Sequence, residues 1–167
     1  MKVLVHPSVS SVDAAAWNAL VGRNRMICRH EYVSAVEHSQ INDCRYFYPA
    51  VYDDGVLVAH ACVYFISTEL DTFAQGCVKQ AIQCVRRAWG RFLVMRTMEC
   101  GSPVGLGSTV CIREGTDARS ILRLMVREIE RLANEQGVSA VFFRDFTDDD
   151  LALFDELQSS GYRRVRN

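Results

Sequence analysis

Apolar residues recur with a helical period over the last third of the chain. From Asp117 to Gln136 they follow one face of a 3.6-residue helix, and charged residues follow the other. Gly137 ends the pattern, as a glycine often does just after a helix. The sequence therefore predicts an amphipathic helix with one packed face, formed by Ala118, Ile121, Leu122, Met125, Ile129, Leu132 and Ala133.

The residues after this helix predict a strand and a further helix. Val138 to Phe143 is a nearly continuous apolar run, which is typical of a strand covered on both sides. Thr147 and Asp150 have the spacing of a capping box, and the helix that follows extends to Gly161. Residues 162–165 predict the start of another strand. The packing face of this last helix is supplied by Leu151, Phe154 and Leu157.

The first part of the chain predicts a strand, two helices and a hairpin. Val3 to Val5 reads as a strand, and Asp13 is the expected N-cap of a helix that Gly22 closes. A second helix is predicted over about His30 to Ser39. The hairpin joins the strands Tyr46 to Tyr52 and Val56 to Ile66 through an Asp-Asp-Gly turn at residues 53–55.

The middle of the chain returns to a helical period and then to strands. Asp71 to Trp89 predicts an amphipathic helix that Gly90 ends, and Arg91 to Glu99 predicts a strand. Three glycines and a proline make residues 101–107 a turn, after which Val110 to Ile112 resumes a strand.

Helices inserted between strands, with a hairpin near the front, indicate an α/β or α+β sheet of mixed strand direction. The chain has 167 residues, 49% of them hydrophobic and 23% charged, which suits one globular domain over residues 1–167. Nineteen basic and twenty acidic residues leave a net charge of -1, so the charge balance favours neither nucleic acid nor an anionic membrane surface as a partner. No apolar run reaches the length of a membrane span and no basic leader precedes an apolar block, so a cytoplasmic protein is predicted.

The seven cysteines are predicted to fill apolar positions rather than to form a disulfide framework or a metal site. Their number is odd and no pair has the Cys-x-x-Cys spacing. His30 and His38 are eight residues apart, with no acidic partner at metal-ligand spacing. No metal is therefore predicted.

A short motif before the long helix carries a family resemblance. Arg113-Glu-Gly-Thr-Asp-Ala118 is similar to the Gln/Arg-x-x-Gly-x-Gly/Ala turn of the GNAT superfamily of acyltransferases, and the strand and helix up to Gly161-Tyr resemble that family's ending. The resemblance implies a GNAT-like, mostly antiparallel sheet flanked by helices. Since the sequence stops at Asn167, it also implies a last strand that is missing or supplied by a partner.

The front of the chain resembles the N-terminal half of Fem-type and related tandem-GNAT N-acyltransferases. The segments that carry this likeness are Trp17, the run Cys28-Arg-His-Glu-Tyr-Val-Ser-Ala-Val-Glu37, and the hairpin from Tyr52 to His60. Such proteins are built of two GNAT-like halves. The resemblance therefore implies either a homo-oligomer or a second GNAT-like half as a partner.

The resemblance also implies a site and an activity. Backbone amides at the start of the long helix would receive the pyrophosphate of acetyl-CoA or another acyl-CoA. Glu99, at a strand end near that turn, would act as a general base through a water. An ordinary capped helix start explains the same turn without any ligand. The residues that would form the cofactor site are Arg113, Thr116, Ala118, Arg119 and Ser120.

Two functions follow from these residues. The first is transfer of an acyl group from acyl-CoA or a carrier thioester to a small-molecule amine. The second is a catalytically silent GNAT-fold module, either half of a tandem enzyme or a partner-binding subunit. Thr116 stands where the family has glycine, and Phe154 stands where many members have a tyrosine general acid. Both replacements weaken the first function. It stays the leading interpretation, because the protein mainly orients the two reactants and polarises the thioester carbonyl, so a missing general acid lowers the rate without preventing the reaction.

Overall fold

The structure, a computed structural model, describes residues 1–69, 76–90, 92–147 and 150–165. In these ranges it contains seven strands and six α-helices. The strands are β1 (Lys2–His6), β2 (Arg45–Asp53), β3 (Val56–His60), β4 (Val63–Glu69), β5 (Val94–Cys100), β6 (Cys111–Ile112) and β7 (Ala140–Phe143). The helices are α1 (Ala14–Asn18), α2 (His30–His38), α3 (Gly76–Ala88), α4 (Ala118–Glu135), α5 (Leu151–Phe154) and α6 (Glu156–Ser159).

The strands form one sheet in the order β6-β3-β2-β4-β5-β7, and β1 pairs with β2. Every pairing is antiparallel except that of β5 with β7, which is parallel. Asp54 (φ 46°) and Gly55 (φ 81°) supply the two positive φ angles that a tight hairpin turn between β2 and β3 requires. The predicted mixed, mostly antiparallel sheet flanked by helices is therefore confirmed.

Successive side chains of β2 point to opposite faces of the sheet and pack into two separate cores. Tyr46 and Tyr48 pack towards α1 and α2, with Trp17 and Val33. Phe47 and Val51 of the same strand point the other way and pack against α4, in the core that Phe154 and Leu157 also join. Because successive strand residues face opposite sides, one aromatic-rich strand can anchor helices on both faces of the sheet.

The buried face of helix α4 is the face that the sequence predicts. Leu122, Met125 and Ile129 are fully buried, and the other predicted apolar positions from Ile121 to Ala133 also lie in this core. Helix α1 is shorter than predicted, because it ends at Asn18 rather than near Gly22, but its N-cap is confirmed. The Ala16 amide donates to Asp13 Oδ1 over 2.7 Å.

Two predictions about the end of the chain are wrong. Strand β7 is not covered on both sides, since Phe142 is 43% exposed and the strand pairs only with β5 among the residues described. Residues 162–165 form no strand. Tyr162 instead packs its ring edge-on against Phe143, with centroids 5.3 Å apart.

Helix α3 has an apolar side that meets solvent. The prediction spanned residues 71–89; residues 71–75 lie outside the described residues, as does Arg91 of the predicted strand. Ile82 is buried, whereas Val78, Val85 and Trp89 are exposed. The helical period is thus confirmed over the described part, but the face it defines is only partly packed.

Candidate functional site

The sheet divides beyond Cys100. Strand β5 runs parallel to β7 as far as the pair Cys100 and Phe143. The chain then leaves through residues 101–110 and returns as β6, which pairs with β3 through Ala59 and His60. Strand β6 is therefore bonded to β3, and strand β7 is bonded to β5. The candidate site is the end of β5, where Glu99 and Cys100 precede the segment that leaves the strand.

Arg25 contacts the segment that leads from β5 into β6. Its guanidinium donates to the carbonyl of Val110 over 2.9 Å and to that of Ser108 over 2.5 Å. The Ser108 carbonyl also accepts from the Cys28 thiol at 3.3 Å. The loop before α2 is therefore hydrogen-bonded to the segment that leads into β6. Nothing in the sequence around Arg25 indicated this role, since the contact spans more than eighty residues.

Glu99 belongs to a polar cluster on the α1 and α2 side of the sheet. The Tyr64 hydroxyl donates to Glu99 Oε2 over 2.5 Å, and Arg144 Nη1 donates to the same oxygen over 2.6 Å. Arg144 also donates to the Tyr64 hydroxyl oxygen over 2.7 Å. A weaker bond of 3.4 Å joins Thr97 Oγ1 to Glu99 Oε1. Glu99 is thus held by three neighbours, of which sequence reasoning identified none.

Strand register explains how this cluster forms. Tyr64 of β4 lies opposite Glu99 of β5, and Arg144 directly follows β7, whose last residue pairs with Cys100. Burial, and then the hydrogen bond to Glu99, raise the pKa of Tyr64, so its hydroxyl stays protonated at neutral pH. The side chain of Glu99 is 16% exposed and that of Arg144 is 41% exposed. The cluster is therefore within reach of a ligand from solvent.

These groups can perform proton transfer and charge stabilisation. A carboxylate within hydrogen-bond reach of an amine, directly or through one water, can accept its proton. A guanidinium beside it can stabilise negative charge that develops on a carbonyl oxygen. Tyr64 connects the two and fixes the orientation of the carboxylate. The arrangement suits a reaction in which an amine attacks a polarised carbonyl.

The predicted cofactor residues lie together at the start of α4, and several of their donors already have partners, in the turn itself or on β3. Arg113 donates to the Leu57 carbonyl over 2.8 Å, and Thr116 Oγ1 donates to the Arg113 carbonyl over 2.7 Å. Asp117 caps the helix, because its carboxylate accepts the Ser120 amide at 3.2 Å and the Ser120 hydroxyl at 2.6 Å. These bonds lower the pKa of Asp117. An acidic side chain therefore occupies the helix start that a phosphate would approach.

Phe154 is buried in the core and cannot take part in proton transfer. Its ring stacks on Phe146 with centroids 4.1 Å apart, in the core beneath α4. A phenyl ring has no proton to donate. Glu99 and Tyr64, whose side chains exchange protons, are the candidate groups for proton transfer at the end of β5.

In the ranges that the structure covers, no cluster of three or more His, Cys, Asp or Glu side chains is placed to bind a metal ion. A search of the same ranges for a helix long and apolar enough to span a bilayer finds none.

No protein-family model matches the sequence. Solved structures resemble the fold over nearly the whole chain. A tetramutant of the BH1408 protein from Bacillus halodurans superposes with a TM-score of 0.66 at 14% identity, covering 100% of this chain and 96% of that one. An aminoglycoside N-acetyltransferase, AAC(6')-Iy, solved in complex with CoA, gives 0.59 at 8% identity, with coverage of 99% and 90%. The ribosomal-protein-alanine N-acetyltransferase of Brucella melitensis biovar Abortus 2308 gives 0.58 at 10% identity, with coverage of 100% and 95%.

The fold is therefore the GNAT fold of N-acetyltransferases. Among curated proteins, the sequence is similar to a Mycobacterium tuberculosis protein provisionally named 8-amino-7-oxononanoate synthase 2, at 24% identity over 136 residues. The same protein is matched in a second strain. The match covers 80% of this chain and 18% of that relative, so the chain corresponds to about a fifth of the relative's length.

Proposed function

We propose that the protein is an N-acyltransferase that takes an acyl group from acyl-CoA, such as acetyl-CoA, or from a carrier thioester and transfers it to a small-molecule amine. The observation that carries this proposal is the Glu99 cluster with Tyr64 and Arg144, at the end of β5 in a GNAT fold. A solved neighbour of the same fold binds CoA, which supports a CoA thioester as the donor.

In this proposal Glu99 is the general base. The amine nitrogen attacks the thioester carbonyl carbon, and Glu99 accepts the proton that the nitrogen loses. Arg144 stabilises the negative charge on the carbonyl oxygen, and the carbon–sulfur bond then breaks to release the thiolate. Tyr64 is a positioning residue that keeps the carboxylate in place. No metal takes part in the proposed reaction.

The start of α4 is the proposed site for the pyrophosphate of the donor. Amides of the turn would meet the phosphates, and Arg119 would add positive charge. The residues assigned to it are Arg113, Thr116, Ala118, Arg119 and Ser120. That the chain forms one domain over residues 1–167, and that the open edge of β7 associates with a second copy or a second GNAT-like half, stay predictions.

A second candidate function, the catalytically silent GNAT-fold module, is favoured by one observation. The Asp117 carboxylate already accepts the Ser120 amide at the mouth of α4, and Arg113 is bonded to a backbone carbonyl. A diphosphate at this place would face a negative charge and would compete with an existing cap.

Calorimetric titration with acetyl-CoA separates the two functions. Asp117→Asn retains a side-chain oxygen that caps the helix but removes the negative charge, so affinity for acetyl-CoA should rise by about fivefold if the phosphates bind there. Asp54→Asn, in the hairpin turn, makes the same charge change at a distant site and should leave affinity unchanged. Absence of binding by all three proteins at high ligand concentration would exclude acetyl-CoA as the donor and would favour the silent module.

Release of free thiol from acetyl-CoA, measured over a panel of small amines, tests the role of Glu99. Glu99→Gln should lower the turnover rate by roughly 10²- to 10⁴-fold, because it removes the proton acceptor while keeping the size of the side chain. Glu128→Gln, on the solvent side of α4, is the matched control and should retain the wild-type rate. Equal rates for both variants would remove Glu99 from the mechanism.

A further inference from the structure

Helix α3 presents an apolar face that the rest of the described chain leaves uncovered. Among its 13 residues Ile82 is buried and Arg86 is half-buried, and the others are exposed. Val78 is 56% exposed, Val85 is 42% exposed, and Trp89, which directly follows the helix, is 62% exposed. A helix of this length owes most of its stability to the packing of its apolar face. We therefore expect a partner that covers this face.

Two residues fix which side of α3 points outward. The helix lies between β4 and β5 in the chain, and Arg86 forms an ion pair with Glu69, the last residue of β4, at 2.7 Å. Arg86 Nε also donates to the Phe92 carbonyl over 3.1 Å. Ile82 lies one turn before Arg86 and so shares its side of the helix. This side is held against the protein, and the side that carries Val85 faces solvent.

The polar part of α3 is basic. Lys79, Arg86 and Arg87 lie on the helix, and no acidic residue occurs from residue 72 to residue 98. The net charge of the whole chain, -1, conceals this basic segment. An apolar face with a tryptophan at its end and lysine and arginine on the other side is typical of helices that lie in the headgroup region of an anionic bilayer.

We propose that α3 is a peripheral binding site for an anionic phospholipid surface. Val78, Val85 and Trp89 enter the boundary between the headgroups and the acyl chains. Lys79 and Arg87 extend their long side chains to the lipid phosphates. This inference goes beyond the proposed acyl transfer and does not depend on it.

The charges and the shape of the helix favour lipid over the other occupants. Two α3 helices in contact would bring basic residues together with no acidic residue to offset them, which argues against a second copy of the chain. An acidic protein would satisfy the charges. A protruding helix with an exposed tryptophan nevertheless matches a flat lipid interface, where the ring of Trp89 can be half immersed.

Sedimentation with vesicles tests the proposal on the whole chain under reducing conditions. Vesicles of phosphatidylcholine with about one-third phosphatidylglycerol should bind the protein roughly 30-fold more tightly than vesicles of phosphatidylcholine alone, because two basic side chains meet the anionic surface. Raising the salt concentration should weaken this binding, since the attraction is screened.

Fluorescence identifies the surface that binds. Of the two tryptophans, Trp17 is buried and Trp89 is exposed, so a change in emission on binding reports Trp89. On the anionic vesicles its emission should shift to shorter wavelength and acrylamide should quench it less, as expected for a ring that leaves water. Trp89→Phe should abolish both changes.

Matched variants separate the apolar and the basic contributions. Val85→Glu should weaken binding to the anionic vesicles by more than about tenfold, whereas Val56→Glu, at an exposed valine of the hairpin, should not change it. Arg87→Gln should weaken binding by about fivefold, and Arg127→Gln, on the exposed side of α4, should leave it unchanged. If Val85→Glu fails to fold, the quenching of Trp89 in the unaltered chain decides the question.

Three results would overturn the proposal. The first is no binding to the anionic vesicles at low salt, or binding that leaves the emission of Trp89 unchanged. The second is a dimer in solution that Val85→Glu converts to a monomer, which would assign the face to a second copy. The third is a shift of Trp89 emission with polyglutamate but not with vesicles, which would assign the face to an acidic protein.

Discussion

Acid should destabilise this protein through one histidine. His60 is fully buried on β3, with its ring stacked on that of Trp17 at a centroid distance of 3.6 Å. Nε2 donates to the Trp17 carbonyl over 3.2 Å, and no partner for Nδ1 is found in the described part of the chain. Burial lowers the pKa of His60 from 6.5 to about 3, and the positive charge of Arg25 acts in the same direction.

The sign of the effect follows from which state binds the proton. Between pH 6.5 and pH 3, His60 is protonated in the unfolded chain but neutral in the folded protein. The free energy of unfolding therefore decreases as the pH falls through this range. Each pH unit in that window is worth about 1.4 kcal/mol. The loss attributable to His60 is therefore about 2 kcal/mol at pH 5 and approaches roughly 5 kcal/mol near pH 3.

Urea unfolding at pH 7 and pH 5, followed by tryptophan fluorescence, measures this loss. His60→Gln removes the titrating group and keeps a donor for the Trp17 carbonyl, so its free energy of unfolding should fall by about 2 kcal/mol less than that of the wild type between the two pH values. His38→Gln replaces an exposed histidine and should behave as the wild type. If wild type and His60→Gln lose the same stability, the low pKa of His60 is refuted.

Two further predictions concern the helices. Ile129→Ala removes a fully buried side chain from the α4 core and should lower the free energy of unfolding by about 2–5 kcal/mol in urea, whereas Arg127→Ala on the exposed side should cost less than about 0.5 kcal/mol. Asp13→Ala removes the acceptor of the Ala16 amide and should cost about 1 kcal/mol by the same assay. An equal cost for Asp13→Asn would show that the cap is not responsible, since asparagine retains it.

Local periodicity was sufficient to predict most elements. Helix α4 is specified by its own residues, because its apolar positions recur every three to four residues between the Asp117 cap and Gly137. The hairpin between β2 and β3 is equally local, since Asp54 and Gly55 suit its turn. Such patterns depend on neighbours in sequence, and a single chain displays them completely.

Burial of whole elements was not predictable in the same way. The apolar run of β7 could belong to a central or an outer strand, and only the sheet order places Phe142 at an open edge. The apolar face of α3 has the correct period but is only partly covered. Periodicity describes an element, whereas its environment depends on which other elements reach it.

The polar cluster shows the same limit at the candidate site. Glu99 was identified from its position at a strand end, but its partners Tyr64 and Arg144 are separated from each other by 80 residues. An isolated tyrosine within a strand and an isolated arginine after one have no distinguishing local signal. Their role follows from the register of three strands, which the sequence does not display.

The attachment of Arg25 to the β6 segment has a consequence for how the chain reaches its folded state. Its two hydrogen bonds join positions 85 and 83 residues apart, so the ends of a very long loop must be brought together before either bond can form. Contacts of this range slow folding. We therefore expect the hairpin of β2 and β3 to assemble first, and β6 to add to the sheet late. The Arg113 amide, which donates to the Val58 carbonyl, should be protected from hydrogen exchange after the Ala61 amide, which donates to the Pro49 carbonyl of β2.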